Sequence, residues 1–341
     1  GRPRRPRRHL RAAAALCAAA AAAAAKASKA CDEERGLRAE GAAASMEAEG
    51  GNLEMQQLET LQSVHLEEEQ LPVSARWHRG ELIGHGSYGR VFKALDAGTS
   101  RIFAVKQTPL DDGSEENGKY LQSLKAELDI CKNLRHRHIV NYLGHQEVGG
   151  QLCIFLEYVA GGSVAGLLQE FGPLEGNALQ MTARGCVKGL CYLHTRSPPV
   201  VHRDIKCANI LVDLQCRAKL ADFGCSKRCD TTQSFTTIGS IPWMAPEVIM
   251  QKNGYGRKAD IWSLGCTVLE MVTAERPWGT GAFDNTIAAL RRIGMSDAIP
   301  PIPTGSLPKP VVDFLLLCLC RQAAARPSAR ELLRAPFVAK A

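Results

Sequence analysis

His202-Arg203-Asp204-Ile205-Lys206-Cys207-Ala208-Asn209, followed by Asp222-Phe223-Gly224, decides how the rest of this chain reads. The first stretch sets an acid, a lysine and an amide within one short loop, and the second adds another acid. An aspartate such as Asp204 accepts or orients the proton of an attacking hydroxyl. Lys206 stabilises negative charge on a group in transfer. Asn209 and Asp222 are hard oxygen donors of the kind Mg2+ prefers beside phosphates. Phosphoryl transfer asks for alignment and charge neutralisation more than covalent help, and these residue types supply both. Each of them alone reads as an ordinary loop residue. Together, and in this order, they point to that chemistry.

Working outward, Gly84-His85-Gly86-Ser87-Tyr88-Gly89-Arg90-Val91 is ambiguous by itself, because the same glycine spacing marks dinucleotide sites. A dinucleotide site needs a helix straight after the glycines, whereas the strand-like run Val91–Ala94 follows here. Glycines in a strand-turn-strand flap let backbone amides approach phosphate oxygens closely. Lys106 ends the strand-like run Phe103-Ala104-Val105. A lysine on a buried strand is costly unless paired, so it calls for an anionic ligand and a carboxylate. Glu127, in the helical run Leu121–Leu134, supplies the carboxylate and leaves the ammonium for the α- and β-phosphates.

The texture around these motifs suggests two lobes. Gly80–Leu82, Arg90–Ala94, Ile102–Lys106 and Leu152–Tyr158 read as strands. After Gly162 the signals turn helical, over Ala178–His194, Ile261–Thr273 and Pro310–Cys320. Strands first and helices later, with the chemistry between them, predict an α+β fold with a cleft.

Composition sets the frame. Hydrophobic residues are 45% and charged residues 23%, as in ordinary globular chains. The net charge of +7 suggests a nucleic-acid or membrane partner until it is located. Six arginines among the first eleven residues leave only +1 for the rest, so no nucleic-acid partner is expected. No run is apolar enough for membrane insertion. Thirteen cysteines show no Cys-x-x-Cys spacing and read as free thiols of a cytoplasmic protein. Residues 1–45 form a basic, Ala-rich low-complexity tail, with an organelle-targeting segment as the other reading. Residues 46–76 form an acidic linker with leucines at loosely helical spacing, which reads as solvated linker or as a short docking helix.

In their order, these motifs resemble the eukaryotic protein kinase family over residues 77–338, with Ala245-Pro246-Glu247 completing the set. The resemblance implies a bilobal fold: a small β-rich lobe with one helix, and a larger helical lobe. It implies ATP and Mg2+ (or Mn2+) as cofactors. The nucleotide site would comprise Ile83, Gly84, Gly86, Gly89, Val91, Ala104, Lys106, Leu156, Glu157, Val159 and Leu211. Leu156 would guard its back, and the backbone of Glu157 and Val159 would bind adenine. Asp204, Lys206, Lys106 and Glu127 would be the catalytic set, with Asn209 and Asp222 holding metal. Asp260 would brace the catalytic loop, and Arg326 would pair with Glu247.

Lys206 and Ser240 resemble the serine/threonine type. Phe155–Ser163, Val201–Asn209 and Leu134–Val140 are similar to the STE group, and within it to MAP kinase kinase kinases. The implied partner is then a MAP kinase kinase, with the upstream activator unspecified. A pseudokinase scaffold would lack a lysine or aspartate of the set, and an STE kinase outside that cascade is the remaining alternative. Gly239-Ser240-Ile241-Pro242-Trp243 departs from the Gly-Thr-Pro-Tyr-Trp of many members, which bears on peptide preference. Arg203 implies control by phosphate on an activation loop, for which Thr231, Thr232, Ser234, Thr236 and Thr237 are candidates.

Overall fold

The computed structural model describes residues 76–86, 89–111, 117–223, 227–228, 238–250, 256–279 and 286–339. The tail, nearly all of the acidic linker and the five candidate phosphorylation sites lie outside the described residues.

Five strands form an antiparallel sheet in the order β1-β2-β3-β5-β4: β1 Trp77–Gly86, β2 Gly89–Asp96, β3 Ile102–Pro109, β4 Tyr142–Val148 and β5 Gln151–Glu157. β3 lies between two neighbours, and Phe103 through Lys106 are all buried. Trp77, Phe103 and Phe155 pack edge to face with ring centroids 5.2–6.1 Å apart, an arrangement aromatic quadrupoles favour. Helix α1, Asn117–Lys132, lays Leu124 and Leu128 on Leu152 and Ile154 of β5. That contact aims Glu127 at the sheet.

The second lobe is mainly helical. It contains α2 Val164–Phe171, α3 Gly176–His194, α4 Pro246–Ile249, α5 Arg257–Thr273, α6 Thr286–Met295, α7 Lys309–Cys318, α8 Ala329–Leu332 and α9 Pro336–Ala339. Every residue of α5 from Ala259 through Leu269 is buried, so this helix runs through the core and has no solvent face there. Polar residues on it therefore need partners inside the protein, and Asp260 is such a residue.

Short strands carry the chemistry between the lobes. β6 Val200–Val201 precedes the catalytic loop and pairs with β9 Lys227–Arg228. β7 Ile210–Val212 follows that loop and pairs with β8 Ala218–Leu220, which ends two residues before Asp222. The architecture is the expected α+β bilobal one. β4 was not foreseen: Gly144 sits at φ 157 beside a register shift, and its burial is too partial to give an alternating pattern.

Candidate active site

Lys106 is opposite Val91 in β2 and Ile154 in β5, and only 3% of it is exposed. Its Nζ donates to Glu127 Oε1 at 2.7 Å and to Asp222 Oδ1 at 3.0 Å. Burial alone would push its pKa down, but the Asp222 and Glu127 carboxylates more than offset this and hold the ammonium well above the ordinary range. Glu127 Oε2 has no hydrogen-bond partner among the described residues, so the pair is fastened through one oxygen. Three segments distant in sequence thus meet at one charged nitrogen.

The catalytic loop is a second such junction. Asp204 is 5% exposed and accepts at Oδ2 from Lys206 Nζ (2.9 Å) and from Asn209 Nδ2 (2.7 Å). Asn209 Nδ2 also donates to the Asp204 carbonyl at 2.8 Å, which leaves the amide oxygen for a cation. Lys206 Nζ donates in addition to Ser240 Oγ at 2.8 Å. Ser240 belongs to the 3-10 turn Ile238–Trp243, so the lysine ties the catalytic loop to that turn.

Asp260 holds this loop from beneath. It is fully buried and accepts from His202 N and Arg203 N, both at 2.9 Å, and lies 2.8 Å from His194 Nε2. Burial raises its pKa, yet the His194 contact, its neighbours' charge and the backbone donors outweigh burial and leave it below the ordinary carboxylate range. The bond to Arg203 N fixes a residue at φ 72, and Asp222 likewise sits at φ 61. Left-handed backbone at two non-glycine residues marks strain held by its surroundings. Arg326 donates to Glu247 from both terminal nitrogens, at 2.6 and 2.8 Å, and clamps α4 to the end of the lobe.

The glycine loop closes over this floor. Gly86 pairs with Gly89 across the β1–β2 turn, whose tip at 87–88 lies outside the described residues. A Cβ at Gly89 would lie 2.2 Å from the Gln107 carbonyl oxygen, so no larger residue fits. Gly84 has open space where a Cβ would be, which suits close approach of a phosphate. At the hinge, Glu157 N donates to Asn141 O at 2.9 Å, so an adenine contact from this residue falls to its carbonyl. Val159 N has no acceptor among the described residues.

A match to the family described as protein kinase domain covers residues 77–338. The chain belongs to the protein kinase family. The kinase is 40% identical over 278 residues to the MAP kinase kinase kinase mkh1 of Schizosaccharomyces pombe, covering 77% of this chain and 24% of that protein. It is 41% identical to mitogen-activated protein kinase kinase kinase A of Dictyostelium discoideum, over 77% of this chain and 28% of the other. It is 42% identical to mitogen-activated protein kinase kinase kinase YODA of Arabidopsis thaliana, over 77% and 29%. The chain therefore spans about a quarter of the length of these curated relatives. No helix of the described residues is long and apolar enough to cross a membrane.

One residue of the kinase site was missed in the sequence. Glu270 Oε2 on α5 accepts from Cys207 N (3.1 Å) and Trp243 Nε1 (2.9 Å), joining the catalytic loop to the turn that holds Ser240. Burial raises its pKa against these donors. An acid inside an otherwise buried helix was the available signal.

Proposed function

We propose that this kinase transfers the γ-phosphate of ATP to serine or threonine of a protein substrate, namely a MAP kinase kinase, in the cytoplasm. The observation that carries the hydroxyl preference is Lys206, which donates to both Asp204 and Ser240. A substrate hydroxyl presented beside Asp204 Oδ2 gives up its proton to that carboxylate as attack proceeds. Lys206 offsets charge developing on the transferred group. Lys106, kept cationic by its two carboxylates, anchors the α- and β-phosphates. Asp222 and the Asn209 amide oxygen fit Mg2+ as hard donors, with Mn2+ able to substitute. When bound, the metal neutralises phosphate charge.

The backbone of Glu157 and Val159, with Ile83, Val91, Ala104, Leu156 and Leu211, forms the adenine slot of this proposal. Arg203 receives a phosphate from the segment holding Thr231, Thr232, Ser234, Thr236 and Thr237, and alanine at all five lowers turnover if that is correct. The MAP kinase kinase substrate rests on likeness to relatives bearing that name. The test is incubation of the full chain with Mg-ATP and a catalytically inactive MAP kinase kinase, with phosphosites mapped. Serine and threonine sites confined to that substrate's own activation segment support the proposal. Phosphotyrosine as the product, or labelling of unrelated proteins alone, contradicts it.

A further inference from the structure

One edge of α3 carries a line of cations that no acid answers. Residues 176–203 contain no Asp or Glu, and neither do residues 130–146, which lead from α1 into β4. α3 lies close against that second segment because two glycines allow it. A Cβ at Gly185 would be 3.0 Å from His138 Nδ1, and one at Gly189 would be 2.9 Å from His138 O. Arg184 and Lys188 each precede one of these glycines, so they stand one turn apart along the border of the contact, both half-buried. Exposed Arg137, next to His138, flanks the same border. Farther along, Tyr192 stacks on His136 with centroids 4.7 Å apart, and the Arg196 guanidinium lies 5.3 Å over the Tyr192 ring.

These charges repel one another. Burial lowers the Lys188 pKa, and the Arg184 and Arg137 cations lower it further. Burial also pushes His136 down to about 4, with His138, Arg137 and Lys188 acting in the same direction. Among the described residues, none of Arg137, Arg184, Lys188 and Arg196 belongs to an ion pair. Arg184 Nη1 donates to the carbonyls of Val338 and Ala339, both at 2.8 Å, and Arg196 rests on Tyr192. The side chains of Lys188 and Arg137 have no such partner among the described residues. Like charges held together weaken a fold slightly, and an anion from outside reverses the sign of that interaction.

The spacing selects the kind of anion. Helix positions four apart are about 6 Å apart along the axis, and alternate residues of an extended chain are about 6.6 Å apart. An extended peptide laid along α3 therefore brings one side chain to Arg184 and the next but one to Lys188. It reaches the level of Arg196, about 18 Å from Arg184, some five or six residues after the first. A single ridge of cations is narrow for an anionic bilayer, which meets a broad basic cluster. Tyr192, already engaged by His136 and Arg196, offers no open platform for a nucleobase.

We propose that this edge of α3 is a docking surface for an extended acidic segment of a partner protein, whose carboxylates at alternate residues pair with Arg184, Lys188 and Arg137. None of these three cations shares in the contacts of Lys106, Asp204 or Asp222 described above. Occupation therefore decides which protein is held at the kinase and leaves the transfer step alone.

The test uses the full chain and two fluorescent peptides of about seven residues, the length of the line. One alternates glutamate with serine, and the other has the same residues with the glutamates contiguous. Fluorescence anisotropy should show the alternating peptide bound at low salt, at least about threefold more tightly than the contiguous one, and released as salt rises from about 50 to about 300 mM. Lys188→Gln and Arg137→Gln should each weaken binding about threefold, and the double reversal Lys188→Glu with Arg137→Glu at least about tenfold. Thermal unfolding establishes that each variant folds. Absence of salt-sensitive binding, equal binding of the contiguous peptide, or wild-type affinity in the folded double reversal overturns the proposal. Phosphatidylserine vesicles and poly-uridine RNA are titrated alongside: binding of either that needs Lys188 and Arg137, without binding of the alternating peptide, overturns it in favour of a lipid or RNA surface. Should the double reversal fail to fold, the two glutamine variants decide the matter, since unchanged peptide affinity in both overturns the proposal and a loss in both supports it.

Discussion

Replacing Asp260 with asparagine removes one oxygen from a site that uses both. Oδ1 accepts from Arg203 N, while Oδ2 accepts from His202 N and faces His194 Nε2. In either orientation the amide of Asp260→Asn points an NH2 at an N–H donor. At least one hydrogen bond to a charged acceptor is lost, worth about 1.5–3 kcal/mol in a buried setting. The Arg203 backbone at φ 72 adds a tendency to relax, on the order of 1–2 kcal/mol for a non-glycine residue. Taking about 3 kcal/mol as the cost of restoring the loop before reaction, the rate falls about a hundredfold. The ion pairs of Lys106 with Glu127 and Asp222 are untouched, so KM for ATP moves less than about threefold. Steady-state phosphorylation of a MAP kinase kinase by the full chain, with thermal unfolding to establish that the variant folds, measures both. A folded Asp260→Asn whose kcat stays within about threefold of wild type would refute the bracing role.

Other outcomes follow from the same contacts. Lys106→Met leaves Glu127 and Asp222 without their shared cation, and phosphate transfer drops by about a thousandfold or more while circular dichroism stays native; substantial transfer by the purified variant contradicts the anchoring role. Arg326→Met removes the cation paired with Glu247 and costs about 3–5 kcal/mol in denaturant unfolding, with a shift below about 1 kcal/mol counting against the clamp. Burial pushes His136 and His138 down to about 4, so the folded chain binds fewer protons than the unfolded one between that pH and the ordinary value of 6.5. Their contribution is complete above that window and is lost as pH falls through it, by about 1 kcal/mol or more per ring near pH 5 after allowing for solvent screening. Unfolding curves near neutrality and near pH 5 should therefore diverge less for His138→Gln than for wild type.

Much of this was legible in the sequence, because the residues of one loop are close in space for simple reasons of chain connectivity. Asp204, Lys206 and Asn209 lie within one short loop, and in the structure Asp204 is bonded to both of the others. Lys106 and Glu127 were paired by the cost of burying an ammonium, and the third partner, Asp222, fits the same logic. Glu270 escaped because its partners lie 63 and 27 residues away, at distances that neither periodicity nor local spacing reports. β4 escaped because a half-exposed strand with a glycine at an irregular register carries little alternation. The buried cysteines were read correctly as thiols, and burial raises Cys186 to about 12, which keeps it protonated and inert.

The central claim is that Asp204 and Asp222 serve transfer of the γ-phosphate of ATP to serine or threonine. Mass-spectrometric mapping of a catalytically inactive MAP kinase kinase, incubated with Mg-ATP and either the full chain or its Asp204→Asn and Asp222→Ala variants, tests it most directly. Phosphoserine or phosphothreonine with the wild type, and none above background with either variant, is the result expected. Equal labelling by wild type and variants would contradict the account.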